Sequence, residues 1–139
     1  MKKFLTLALG LVLFVSCSGD DNDNVIDATK LTNKKWYFAS YKVAGQTVPY
    51  ENQDASCGRD YNEFLSTGVL IDGYFNNCEL FTSQGSWVLD GDKISVSMDG
   101  EIGTATIKSL TATSLELETV GDFDDNGTDE TIRAIFTSN

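Results

Sequence analysis

Ile94, Val96 and Met98 alternate with Lys93, Ser95 and Ser97, and Leu115 and Leu117 alternate with Glu116 and Glu118. A period of two sends successive side chains to opposite faces of an extended strand, so each run buries one face and wets the other. No window of comparable length carries a helical stripe. Gly is frequent and spaced, whereas Pro occurs once, at Pro49. Runs bounded by Gly, Asn and Asp at short intervals point to antiparallel strands joined by tight turns.

Eight strands are expected on this pattern: Trp36 to Ala44, Tyr61 to Leu65, Val69 to Phe75, Gly85 to Leu89, Lys93 to Met98, Glu101 to Lys108, Leu115 to Val120, and Thr131 to Phe136. Ser66-Thr67-Gly68, Asp90-Gly91-Asp92 and Asp99-Gly100 supply turns between neighbours. The expected fold is all-β, an antiparallel up-and-down meander of about eight strands closed into a barrel, with a two-sheet β-sandwich as the alternative. Closure removes the exposed sheet edges that an open meander leaves.

The N-terminus is of a different kind. Lys2 and Lys3 precede an apolar run from Phe4 to Val15, the length of a signal peptide and too short for a membrane span of about 20 residues. Phe14-Val15-Ser16-Cys17 resembles the lipobox of bacterial lipoproteins, with Phe14 where Leu is usual. The resemblance implies a signal peptide over 1–16 and acylation, for example with palmitate, of Cys17 as the mature N-terminus. Each buried acyl methylene contributes about 0.8 kcal/mol, so several chains anchor a protein to a membrane. The alternative is an ordinary signal peptide with an incidental Cys.

Residues 17–29 are acidic and poor in large apolar side chains, as expected of a flexible tether. Ser18 after the Cys resembles lipoproteins sent to the outer membrane. The Asp20, Asp21, Asp23 cluster resembles the export tag of surface lipoproteins in the Bacteroidetes. A solvated linker without an address is the plain alternative. The chain has three Cys. An acylated Cys17 leaves Cys57 and Cys78 as a pair free to oxidise in an export compartment, where closing the loop stabilises by about 3 kcal/mol.

The chain's net charge of −11 becomes −13 once Lys2 and Lys3 leave with the signal, because all 21 acids lie beyond Cys17. Such acidity argues against nucleic acid as a partner and favours solubility and cations. Without any His, Ser-His and Cys-His pairs and His-rich zinc sites are excluded, and no enzymatic role is expected.

The single domain expected over 30–139 carries an ordered set of motifs. Leu31 and Trp36 are followed by Cys57, Tyr61-Asn62-Glu63-Phe64 running into Gly68, and Cys78. Then come Gly85-Ser86-Trp87-Val88-Leu89, Asp90-Gly91-Asp92-Lys93-Ile94, and Ile107-Lys108-Ser109-Leu110-Thr111 leading to Leu115. The set resembles the lipocalin-like domain of Bacteroidetes lipoproteins. Lys34 stands where classical lipocalins have Gly two before the first Trp. The resemblance implies a barrel that binds a small apolar or amphipathic ligand, with Trp36 closing one end and Arg133 stacking on it. Trp36, Phe38, Phe64, Phe75, Trp87 and Phe136 are the candidate ligand-binding or core residues. A barrel of this size either holds one small ligand or is filled by its own side chains. A filled barrel would leave a protein-interaction or accessory module, or a structural cap.

One acidic stretch remains. From Asp122, acids and amides fall at positions 1, 3, 5 and 9 (Asp122, Asp124, Asn126, Glu130), with Gly127 at the turn and Thr128 offering a carbonyl. This is a spacing that suits Ca2+, although position 12 is Arg133 and not the EF-hand Glu. The same residues also read as a polar Asn-Gly hairpin, and a hairpin loop can carry a weak site.

Overall fold

The computed structural model describes residues 25–139. The signal peptide, Cys17 and the Asp20 to Asp23 cluster lie outside the described residues. A one-turn helix, α1 (Ala28–Leu31), is followed by nine strands: β1 (Lys35–Val43), β2 (Gln46–Pro49), β3 (Tyr61–Phe64), β4 (Val69–Asn76), β5 (Glu79–Asp90), β6 (Lys93–Met98), β7 (Glu101–Leu110), β8 (Ser114–Gly121) and β9 (Glu130–Thr137). All neighbours pair antiparallel, and β1 also pairs with β9, from Tyr37 with Thr137 to Val43 with Ile132. That pairing closes eight strands into a barrel and decides between the two expected architectures.

The extra strand is β2. It returns from the Ala44-Gly45 turn to cover the Ser40–Val43 half of β1, while β3 covers the Lys35–Tyr37 half of the same edge. All four β2 residues are exposed, so no burial pattern marked the strand in the sequence. Its turn places both central residues at positive φ, 48° and 78°, the mirror-image geometry that matches strand twist. Asp99-Gly100 turns in the same way, and so does Asn77-Cys78, whose non-glycine residues adopt this conformation beside the disulfide.

The core fills one end of the barrel. Leu31, Trp36, Phe64, Leu70, Trp87, Ile94, Ile107, Leu115 and Phe136 form one buried cluster. The indole of Trp36 is fully buried and donates from Nε1 to the Leu31 carbonyl at 2.8 Å, tying α1 across the barrel end as a plug. Asp27 caps α1 by accepting from the Thr29 amide. The helix thus begins at Ala28, two residues before the expected start of the domain. Trp87 Nε1 donates to the Leu65 carbonyl at 2.9 Å, and Asn33 N to the Phe64 carbonyl at 2.8 Å. Both buried indoles are therefore satisfied, which lets large rings close the floor without leaving a polar group unpaired.

Register fixes which side chains face inward. Phe64 pairs with Leu70, so Asn62 and Asp72 point in, and Tyr61, Gly73 and Phe75 point out. Phe75, expected among the core or ligand-facing rings, therefore lies on the outer wall. It covers Gly58, where a Cβ would overlap its ring, and borders an outer groove with Tyr37, Arg59 and Leu80. Arg133 also faces outward, because Phe136 and Ala134 hold the inner positions of β9. It donates to Glu118 at 2.7 Å and approaches Glu116, and the position over Trp36 is taken by Lys34, with Nζ 5.3 Å from the ring centre. The Arg133 hydrogen bond holds the Glu118 carboxyl below its ordinary pKa.

Candidate functional site

Burial of the inward positions changes along the barrel. On β5, Trp87 is buried, Gly85 and Ser83 are half-buried, and Phe81 is 40% exposed. On β7 the sequence runs from buried Ile107 through half-buried Ala105 to exposed Gly103 and Glu101, and on β8 from buried Leu115 through Leu117 to exposed Thr119. A filled barrel would bury its inner faces along its whole height. Here solvent reaches inner positions over the half opposite α1, so the interior is a cup with an aromatic floor.

One wall of the cup is not a continuous sheet. β3 ends its pairing with β4 at Tyr61 and Gly73, leaving Tyr74–Asn76 without a strand on that side. The segment 50–60 fills the gap between β2 and β4 and is fastened to β1 and β4. Buried Asp60, 2% exposed, accepts from Phe75 N at 3.2 Å through Oδ1, and from Tyr50 Oη at 2.9 Å and Gln53 N at 3.3 Å through Oδ2. Its own amide donates to Asn52 Oδ1 at 2.8 Å, and its carbonyl accepts from Phe38 N at 3.2 Å. Asp54 Oδ2 accepts from Cys78 N at 2.9 Å beside the Cys57–Cys78 disulfide, whose Cα atoms are 5.0 Å apart. The expected cysteine pair is thus a staple across the patched wall.

Aromatic rings line this side of the cup. Phe38 stacks on Tyr50 at 4.6 Å and meets Phe136 at 4.6 Å. Tyr41 lies 5.9 Å from Tyr50 and 5.4 Å from Phe123, which reaches over from the loop between β8 and β9. Tyr74 and Phe81 stack across β4 and β5 at 5.6 Å. Burial pushes the Tyr41 phenol up, and burial followed by the hydrogen bond to Asp60 pushes Tyr50 up further, so both stay neutral. Asp72 is the inward carboxylate on β4, between Asn62 on β3 and Ser83 on β5. Burial, then the nearby charge of Asp60, raises its pKa.

The six rings expected from the sequence therefore divide. Trp36, Phe64, Trp87 and Phe136 form the floor, Phe38 rises from it into the cup, and Phe75 is outside. Tyr41, Tyr50, Tyr74, Phe81, Phe123, Asp60 and Asp72 were not expected. Tyr41 was hidden by a bulge between Phe38 and Ser40, which shifts the β1 alternation by one residue. Tyr50, Phe123 and Asp60 lie outside the strands.

In the acidic stretch, Asp122, Asp124 and Glu130 bring carboxylate oxygens within 4.8 Å of one another. Asp122 also caps the loop, accepting from Asn126 N at 3.0 Å and Gly127 N at 2.7 Å, and Glu130 accepts from Phe123 N at 3.0 Å. Asn126 Oδ1 accepts from Thr128 N at 2.9 Å. The residues thus form a hairpin loop, with three carboxylates converging in it.

The profile of the lipocalin-like domain family matches residues 32–117. The chain belongs to this family. No curated protein matches it. Among solved structures, a lipocalin-like protein from Bacteroides uniformis is similar, with 18% identity and a TM-score of 0.57 over 79% of this chain and 99% of that one. A protein from Bacteroides eggerthii is similar at 13% identity and a TM-score of 0.55, over 76% of this chain and 98% of the other. At these identities the likeness is one of fold. Family membership gives the cup its counterpart, since the mouth of a small closed barrel is where a guest molecule enters.

Proposed function

We propose that this lipocalin-like protein holds one small apolar or amphipathic molecule in its barrel mouth, as an exported lipoprotein anchored by Cys17 to the bacterial outer membrane. The observation that carries the binding reading is the accessible inner face: Gly103, Ala105 and Phe81 point inward yet are reached by solvent, in a cup whose inner rings include Phe38, Tyr41 and Tyr50. Apolar rings with a few polar groups are what a ligand pocket needs for affinity and orientation. The role is one of binding, without catalysis. The anchor is supported by the lipobox-like Phe14 to Cys17, and the surface address by Asp20, Asp21 and Asp23.

Native mass spectrometry of the purified chain, with titration of the neutral fluorophore N-phenyl-1-naphthylamine, tests the binding reading. Saturable one-to-one binding supports it. A fluorophore that does not bind, with no co-purified mass, overturns it in favour of an interaction module using exposed Val88, Ile102 and Val120 on the outer face. Metabolic labelling with an alkyne fatty acid tests the anchor: label should enter the native chain and be absent from Cys17→Ser.

The converging carboxylates of Asp122, Asp124 and Glu130 favour a second, structural reading for their loop, a weak Ca2+ site that steadies the hairpin carrying Phe123. Extracellular modules bind Ca2+ with affinities of about 0.1–1 mM.

A further inference from the structure

The charge inside the cup has one sign. Register places Asp72, Glu79, Glu101 and Glu130 at inward positions. The strand cations Lys35, Lys42, Lys93, Lys108 and Arg133 all lie on the outer face. Lys34 sits at the plugged end, reaching the Ala112 carbonyl, and Arg59 lies over the outward ring of Tyr37. Within the cup, Glu79 and Glu101 are exposed at the rim, and Glu130 is engaged with the Phe123 amide.

Asp72 is the inward acid nearest the floor. It is one inner position from buried Leu70 and one from Tyr74, on whose ring Phe81 stacks. Among the described residues it forms no ion pair, and its strand neighbours inside the barrel, Asn62 and Ser83, are neutral. A half-buried carboxylate without a cation is electrostatically costly, and that cost falls when a cation arrives. The rings around it add to the same preference, because aromatic faces attract cations and their edges pack against apolar bodies.

We propose that the cup selects amphiphiles with a protonated amine head group, and that Asp72 is the residue that reads this charge while Phe38, Tyr41, Tyr50, Tyr74 and Phe81 hold the apolar body. Carboxylate amphiphiles such as fatty acids are rejected, since among the described residues no inward cation receives them and four inward acids repel them. The selection rests on the binding reading above.

Three ligands with the same twelve-carbon chain test it at pH 7.5, each displacing N-phenyl-1-naphthylamine from the purified chain: dodecanol (neutral), dodecylamine (cationic) and dodecanoate (anionic). Dodecanol should displace the probe. Dodecylamine should bind at least about tenfold tighter than dodecanoate, and Asp72→Asn should shrink that ratio to about threefold. If dodecanol displaces the probe but dodecanoate matches dodecylamine, or the preference survives in Asp72→Asn, the selection is refuted and the binding reading stands. If the probe does not bind and no mass co-purifies, both fail. Circular dichroism of Asp72→Asn guards against misfolding, and Asp72→Ser, which also removes the charge, must give the same ratio.

Discussion

Asp60→Asn removes a charge while keeping the shape of the side chain, and it acts on the point where the patched wall is fastened. The carboxylate accepts three donors: Phe75 N on one oxygen, Tyr50 Oη and Gln53 N on the other. An amide offers only one accepting oxygen. Turned toward Tyr50 and Gln53, it sets its NH2 against Phe75 N; turned toward Phe75, it faces the Gln53 amide. The Tyr50 hydroxyl can rotate to accept, but a backbone N–H cannot. Every arrangement therefore leaves at least one donor unpaired in a site where the side chain is 2% exposed. An unsatisfied buried donor costs about 1–3 kcal/mol, and the remaining bonds lose their charge assistance, so a loss of about 2–4 kcal/mol is expected. Asp60→Ala, which abandons all three donors, should cost at least as much. Urea unfolding at pH 7, followed by tryptophan fluorescence from Trp36 and Trp87, measures it. A loss below about 0.5 kcal/mol for Asp60→Asn would refute the view that this carboxylate fastens the wall.

Three further outcomes are expected. The Cys57→Ser, Cys78→Ser double variant should lose about 3 kcal/mol in urea unfolding, the value for a closed loop with a separation of 21 residues; native chain in reductant should unfold at the same urea concentration as the variant. Asp72→Asn should stabilise the protein at neutral pH. The folded state raises the Asp72 pKa above its ordinary 3.8, so the protonated form is favoured and the penalty appears as pH rises through the folded value. The gain, under about 1 kcal/mol after solvent screening, should fade on acidification and vanish below the ordinary value; a gain that persists at pH 3 contradicts this. Ca2+ at about 10 mM should add roughly 1–3 kcal/mol to stability by mass action. The increment should disappear in Asp124→Asn, which removes a carboxylate that makes no hydrogen bond within the loop; an equal increment in that variant rules out the site.

The sequence disclosed the floor of this barrel far better than its mouth, for a physical reason. Alternation of apolar and polar residues records burial on one face. It is clean at Ile94-Val96-Met98 and Leu115-Leu117, where inner positions pack into or against the core. It fails in the first half of β5, where Glu79, Phe81 and Ser83 face a solvent-reached interior, and the stretch before Gly85 did not read as a strand. It fails again at β2, exposed on both faces. The four most buried of the expected rings are floor residues for the same reason. Tyr50, Phe123 and Asp60 were illegible because long-range register, and not local pattern, brings connecting segments over the cup. The disulfide was legible from counting alone, since one cysteine had another explanation.

The patched wall has a consequence for how the inside of such a barrel is reshaped. Eight strands held by ladders fix the circumference, and widening it means breaking backbone hydrogen bonds in concert. Between residues 50 and 60 the enclosure is instead a length of irregular chain, pinned by side chains and one pair of sulfurs. Added or altered residues there reshape the chamber locally, leaving the indole floor and the rest of the ladder untouched. Variation in the shape of the chamber among proteins built this way is thus expected to concentrate in that one segment, which acts as an exchangeable pane in an otherwise rigid frame.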